Sequence, residues 1–154
     1  MRAVVQRVAS ASVSVGGDTI SEIGKGLMIL VGIAPDDTDK DAEYISSKCC
    51  NLRIFDDENG VMNLSAQETG SEILLVSQFT LMGDARKGRR PSYIKAAGSE
   101  TAVPLYEKLA SMLKGCGFTV KTGIFGADMQ VALINDGPVT ILLDSRKTFR
   151  SRKL

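Results

Sequence analysis

Gly26-Leu27-Met28-Ile29-Leu30-Val31-Gly32-Ile33-Ala34-Pro35 carries no polar side chain. From Leu27 to Ile33 the run is continuously apolar, and a strand with one wet face would alternate instead. It therefore predicts a strand covered on both faces. The stretch is also too short to cross a bilayer as a helix, so no membrane span is expected.

On the N-terminal side, Met1-Arg2-Ala3-Val4-Val5-Gln6-Arg7-Val8 continues to Val15 with β-branched residues and rough alternation. Val4, Gln6 and Val8 fall on one side, Val5 and Arg7 on the other, which is a strand pattern. Gly16-Gly17-Asp18 is a hairpin turn, Thr19 to Ile23 a short return strand, and Gly24-Lys25-Gly26 a second turn. On the C-terminal side, Asp37 to Asp39 can cap a helix to about Leu52, with Ala42, Ile45, Cys49 and Leu52 at helical spacing. Asp56 to Gly60 makes a turn and Glu72 to Gln78 a further buried strand. Phe79 to Ser92 loses apolar periodicity and gains Gly83, Gly88 and Pro91, an exposed loop. A second helix is predicted over about Thr101 to Lys114, stopped by Gly115. Phe118 to Thr122, Val131 to Asn135 and Thr140 to Leu143 read as strands, with Asp136-Gly137-Pro138 between the last two.

No repeat or linker divides the 154 residues. A chain of this length hides about two-thirds of its unfolded surface on folding, enough for a real core. The expectation is a single α/β domain: a mixed, largely antiparallel sheet, curved and barrel-like, with two main helices. Residues 1–145 form the domain and 146–154 a basic C-terminal extension.

The chain contains no histidine. That removes the usual general base near neutral pH, the imidazole of a nucleophilic triad and the commonest transition-metal ligand. The three cysteines are Cys49, Cys50 and Cys116, with no CxxC spacing for zinc or a redox pair. We expect no metal and no cofactor. An odd cysteine count without a signal-like start points to a reducing, cytoplasmic setting, with all three thiols as buried small hydrophobes.

The net charge is only +1, but the charges are segregated. Arg86, Lys87, Arg89, Arg90 and Lys95 share one window, and Arg146, Lys147, Arg150, Arg152 and Lys153 fill the C-terminus. Asp36, Asp37, Asp39, Asp41 and Glu43 form an acidic patch near the first helix start. Basic clusters of this kind suit phosphate or nucleic-acid contact; a solvated loop and tail is the plainer alternative.

Three places suit chemistry. At Ser77-Gln78-Phe79-Thr80-Leu81 a buried strand runs straight into a polar loop, and a rigid strand end aims side chains and freed N–H groups at a pocket. Equally, Phe79 and Leu81 can be core and Ser77 and Gln78 can tie off the strand. Asn135-Asp136-Gly137-Pro138-Val139-Thr140 is either a plain turn between two strands or a functional element, and Gly-Pro admits a cis bond at a cost of about 0.5–1 kcal/mol. In Gly123-Ile124-Phe125-Gly126-Ala127-Asp128-Met129 the glycines let backbone approach a ligand, with Phe125 and Met129 as an apolar slot or as core.

The Ser77–Leu81 and Asn135–Thr140 segments, with the Met-Arg-Ala-Val-Val-Gln-Arg-Val start, resemble the signature motifs of the D-aminoacyl-tRNA deacylases, first described as D-tyrosyl-tRNA deacylases. The resemblance runs from Met1 to about Asp144; the basic extension departs from it. It implies hydrolysis of the ester joining a D-amino acid, or glycine, to the 3′-terminal ribose of tRNA, by a homodimer. It also implies that the ribose 2′-hydroxyl activates water, which turns the missing histidine from an objection into a constraint on mechanism. Ser77, Gln78, Phe79 and Thr80 then form the catalytic pocket. Gly137 and Pro138 enter the partner subunit's site and exclude an L side chain, Arg7 orients that dipeptide, and Phe125 and Met129 clasp the terminal adenine. Arg86, Lys87, Arg89 and Arg90 are assigned to acceptor-stem phosphates by position rather than by motif.

Two rivals come from other classes. A non-catalytic RNA-binding module is weakened by 5% aromatic residues and no tryptophan. A small-molecule esterase with Thr80 as nucleophile lacks a base near Thr80 in sequence.

Overall fold

The structure is a computed structural model, and it describes residues 1–146. In chain order the elements are β1 (Arg2–Val15), β2 (Asp18–Ile23), β3 (Gly26–Gly32), α1 (Asp39–Asn51), β4 (Phe55–Asp56), β5 (Met62–Leu64), β6 (Glu72–Ser77), α2 (Ser99–Gly115), β7 (Val120–Thr122) and β8 (Gln130–Asp144).

β1 is the spine. One edge pairs with β8 along its length, from Arg2↔Asp144 to Ser14↔Gln130. The other edge is shared, β3 taking Arg2 to Val8 and β2 taking Ala11 to Val15. All three pairings are antiparallel, whereas β3–β6 and β6–β7 are parallel. The mixed sheet curls until β2 meets β7: Ser21 Oγ donates to the Thr122 carbonyl at 2.6 Å, and Lys121 Nζ to the Glu22 carbonyl at 2.7 Å. The result is a nearly closed, barrel-like sheet with two helices, as the apolar pattern predicts.

The burial of β3 shows why. Leu27, Ile29 and Val31 join Ile45 and Cys49 of α1 and Leu105 and Leu109 of α2 in one core. Met28 points the other way, into a second core with Val8, Val13, Leu74 and Val76 inside the curved sheet. Each such side chain contributes about 1.5–3 kcal/mol by leaving water. The sheet is therefore a wall between two apolar compartments.

The acidic patch turns out to be absorbed by the fold. Thr38 caps α1, with its N–H donating to Asp41 Oδ2 at 2.8 Å. Asp37 is instead buried, 2.7 Å from the Met1 α-ammonium and 3.1 Å from Arg146 Nη2. Asp36 also pairs with Arg146, and Asp39 with Lys108. Arg146, predicted to open the basic extension, thus anchors the end of the described chain; the other basic residues assigned to that extension lie outside the described residues.

Three local expectations change. The turn after Asp56 is flanked by a small hairpin, β4–β5. Asn135–Thr140 does not reverse the chain: Asn135 pairs with Val8 and Thr140 with Gln6, so the residues between bulge from one continuous strand. Cys49 and Cys50 are buried, but Cys116, just past α2, is only partly so.

Candidate active site

Because β3, β6 and β7 are parallel, their C-terminal ends emerge at the same end of the sheet. That end carries Gly32, the segment from Ser77 to Met82, and the loop from Gly123 to Met129. Parallel sheets characteristically place ligand sites beyond their carboxyl ends. Two of the predicted places, the Ser77 segment and the Phe125/Met129 loop, are thereby brought to one end.

Phe79–Met82 forms a tight 3₁₀ turn directly after β6. Gln78 N–H is held by the Val31 carbonyl at 2.8 Å, and the turn's hydrogen bonding begins with Leu81 N–H to the Gln78 carbonyl at 3.2 Å. The N–H groups of Phe79 and Thr80 precede that ladder and are the donors this turn can offer a ligand. Phe79 and Thr80 are exposed, Ser77 and Gln78 half-buried. Gln78 Nε2 donates to Thr80 Oγ1. An amide nitrogen accepts no proton, so this contact orients the hydroxyl without activating it.

Three supports of the turn were not legible in the sequence. Gly32 lies beneath it: a Cβ there would sit 2.9 Å from both the Gln78 carbonyl oxygen and Leu81 Cβ. Arg2 Nη1 donates to the Leu81 carbonyl at 3.1 Å. Tyr93 meets Phe79 edge-on, ring centroids 5.2 Å apart. Gly32 and Tyr93 belong to none of the quoted motifs, Arg2 stands in the N-terminal one with no role read for it, and each reaches the turn only through tertiary contact.

In the neighbouring loop, Phe125 is half-buried and edge-on to Tyr106, whose hydroxyl donates to the Leu75 carbonyl at 2.8 Å. Met129 packs against the core inside the sheet, its sulfur filling the space over Gly123.

Gly137 and Pro138 lie elsewhere. Their peptide bond is cis, and Gly137 has φ +122°. Val139 N–H donates to Asn135 Oδ1 at 3.0 Å, and Asn135 Nδ2 to Thr140 Oγ1 at 2.9 Å, which closes the bulge on itself. Arg7 packs beneath it, Nε donating to the Asp136 carbonyl at 3.0 Å. Arg7 is level with Leu27, and Leu27 with Ile73, four residues before Ser77. The bulge is thus roughly 13 Å along the strands and about 14 Å across them from the end of β6 in the same chain. One chain does not bring these two motifs together.

The basic window is uneven. Arg86 Nε donates to Asp84 Oδ1 at 2.8 Å, and the guanidinium holds the Asp84 carboxyl well below the usual carboxylate range. Lys87, Arg89 and Arg90 are exposed and form no ion pair among the described residues.

The curved α/β sheet sets Ser77–Leu81 at one strand end and Asn135–Thr140 in a strand bulge, the two segments on which the resemblance to the aminoacyl-ester hydrolases rests. The chain belongs to the family described as D-Tyr-tRNA(Tyr) deacylase, whose model matches residues 4–144. It is 55% identical over 149 residues to the D-aminoacyl-tRNA deacylase of Thermosipho africanus, covering 97% of this chain and 100% of that one. To the Porphyromonas gingivalis enzyme of the same name it is 59% identical over 146 residues, 94% and 97% covered. Among solved structures it is similar to the c-Myc DNA Unwinding Element Binding Protein, at 45% identity and a TM-score of 0.88, covering 94% and 98%. A probable eukaryotic D-amino acid tRNA deacylase, at 18% identity, matches with a TM-score of 0.78 over 92% and 97%, a likeness of fold. The chain is a hydrolase acting on the ester bond of D-aminoacyl-tRNA.

Proposed function

We propose that the chain works as a homodimer in the cytoplasm, clearing D-amino acids and glycine from the 3′-terminal ribose of tRNA and sparing L-aminoacyl-tRNA. The observation that carries the dimer is the separation of Gly137–Pro138 from Thr80 within one chain. A second copy supplies the missing wall of the pocket. Among the described residues β8 pairs with β1 on one side only, and its open edge, with Ile134 62% and Leu142 60% exposed, is of the kind that a partner covers.

In this reading the ester carbonyl sits over the turn, where the N–H groups of Phe79 and Thr80 stabilise the oxyanion as water attacks. The ribose 2′-hydroxyl, adjacent to the ester, orients and activates that water, and the Ser77–Gln78 segment holds the α-amino end. Gly137 and Pro138 of the partner close the side on which an L side chain would project. Glycine, with no side chain, is not excluded. Phe125 and Met129 hold the terminal adenine, and Lys87, Arg89 and Arg90, with Arg86 braced by Asp84, meet phosphates of the acceptor stem.

Parallel deacylation of D-tyrosyl- and L-tyrosyl-tRNA tests the reading. We expect rapid loss of the D ester and a spared L ester; comparable rates on the two, or no cleavage of the D ester, overturn it. Sedimentation of a fully active monomer would remove the cross-subunit wall.

A further inference from the structure

A recess of about 360 Å³ adjoins the catalytic turn, lined by Arg2, Met82, Gly83, Asp84, Arg86 and Lys95 among others. Three cations face it against the single carboxylate of Asp84. The wall is built rather than loose: Asp84 and Ser92 exchange backbone hydrogen bonds of 2.8 and 2.9 Å, and Asp84 braces both Arg86 and Lys95, the latter at 3.9 Å. Arg2 is fixed by the Leu81 carbonyl and by Asp144 Oδ2 at 3.4 Å.

An aromatic surface continues from this recess. The Tyr93 ring stands over Gly83, so close that a Cβ on Gly83 would lie 3.0 Å from Tyr93 Cε1. Its other neighbour is Phe79 of the turn. Phe79 is 55%, Tyr93 40% and Ile94 86% exposed. Exposed rings beside a cationic recess suit an unpaired nucleotide, whose phosphate seeks the cations and whose base stacks on a π-face. The same cations disfavour an identical basic face from a second copy.

We propose that this surface binds the unpaired nucleotide preceding the terminal adenosine of the substrate RNA. Its phosphate lies against Arg2 and Lys95 and its base against Tyr93 and Ile94, with Arg86 on the side of the recess that leads to the acceptor stem. The proposal rests on the deacylase reading and adds to it a subsite that measures the RNA chain beyond the esterified nucleoside.

Two wild-type substrates separate the two ideas: D-tyrosyl-tRNA, and D-tyrosyl-adenosine, which is too short to reach the recess. Tyr93→Ala is expected to raise KM for D-tyrosyl-tRNA about tenfold over and above its effect on D-tyrosyl-adenosine, which reports the loss of its edge contact to Phe79. Tyr93→Phe, which keeps the ring, should match wild type. Lys95→Gln should reduce the salt dependence of KM for the tRNA by about 0.7 in log–log slope, and carries the test should Tyr93→Ala fail to fold. Equal effects of Tyr93→Ala on both substrates, no effect on either, or a changed sedimentation coefficient overturn the subsite. Failure of the wild type on D-tyrosyl-tRNA defeats the deacylase reading instead.

Discussion

Arg7 ties the Gly137–Pro138 bulge to the opposite side of β1: its Nε donates to the Asp136 carbonyl at 3.0 Å and its Nη1 to the Ile54 carbonyl at 2.7 Å. Asp56 and Asp136 carboxylates stand 3.5 and 3.6 Å away, and the side chain is 8% exposed. Only a guanidinium fork reaches both carbonyls at once; a lysine reaches one. Arg7→Lys should therefore unfasten the bulge while leaving the distant 3₁₀ turn in place. We expect the preference for D- over L-tyrosyl-tRNA to fall at least about tenfold, with urea midpoints reporting a stability loss of about 2–4 kcal/mol. An unchanged D/L ratio would separate Arg7 from chiral selection.

Gly32 offers a way to displace the turn without touching it chemically. A Cβ there would press on the Gln78 carbonyl and Leu81 Cβ, both at 2.9 Å. A shift of a few tenths of an ångström moves the N–H donors of Phe79 and Thr80, whose effect depends on position. Gly32→Ala should lower kcat by about 10–100-fold, with a smaller change in KM. Steady-state kinetics with a thermal melt checks this, and unchanged kcat in a folded variant would show that the turn tolerates the push.

These two residues mark where sequence reading stops. The strand covered on both faces, the two helices and the loop at Phe79 follow from composition and period, which are local properties. The continuous course of β8 does not: Asp136-Gly137-Pro138 has the chemistry of a turn, and only pairing of both flanks with β1 makes it a bulge. Likewise Asp37 looks like a helix cap until the chain's first residue arrives beside it. Ser77 to Thr80 can be proposed from sequence because a strand end and a polar loop adjoin there, whereas Gly32, Arg2 and Tyr93 reach that turn through folding alone.

The cysteines give a pH-dependent prediction. Burial pushes the Cys49 thiol up to about 12 from 9.0, with smaller contributions from Cys50 and Cys116. Cys50 is pushed up to about 12 as well, first by burial and then by Cys116. A thiol whose pKa is raised on folding favours the native state fully below its unfolded value and loses that contribution as pH rises to the folded one. Stability should therefore decline between about pH 9 and 12, less steeply in Cys49→Val, as urea titrations at a series of pH values would show. At pH 8, iodoacetamide should modify Cys116 in the native protein and reach Cys49 only after unfolding, since the thiolate carries the reactivity. Rapid native labelling of Cys49 would contradict its burial.

The contact between the Gln78 side-chain amide and Thr80 Oγ1 gives the Thr80 hydroxyl a neighbour that is no base, and two substitutions separate the mechanisms this bears on. Were Thr80 the nucleophile, its hydroxyl would need a proton acceptor, and its hydrogen-bonding neighbour here is a donor. Thr80→Ala should then keep D-tyrosyl-tRNA deacylation within about tenfold of wild type, whereas removing a true nucleophile costs on the order of a million-fold. The complementary change is made in the RNA. With the ester at the 3′ position and a 2′-deoxy terminal adenosine, turnover should fall at least about a hundredfold, the low end of what an acid–base group contributes. Near-complete loss in Thr80→Ala, or normal turnover of the 2′-deoxy substrate, would return catalysis to the protein's own side chains. Running both changes together sharpens the outcome: if the RNA hydroxyl acts on water and Thr80 does not, the two effects multiply, whereas a shared proton path makes the double change no worse than the single one.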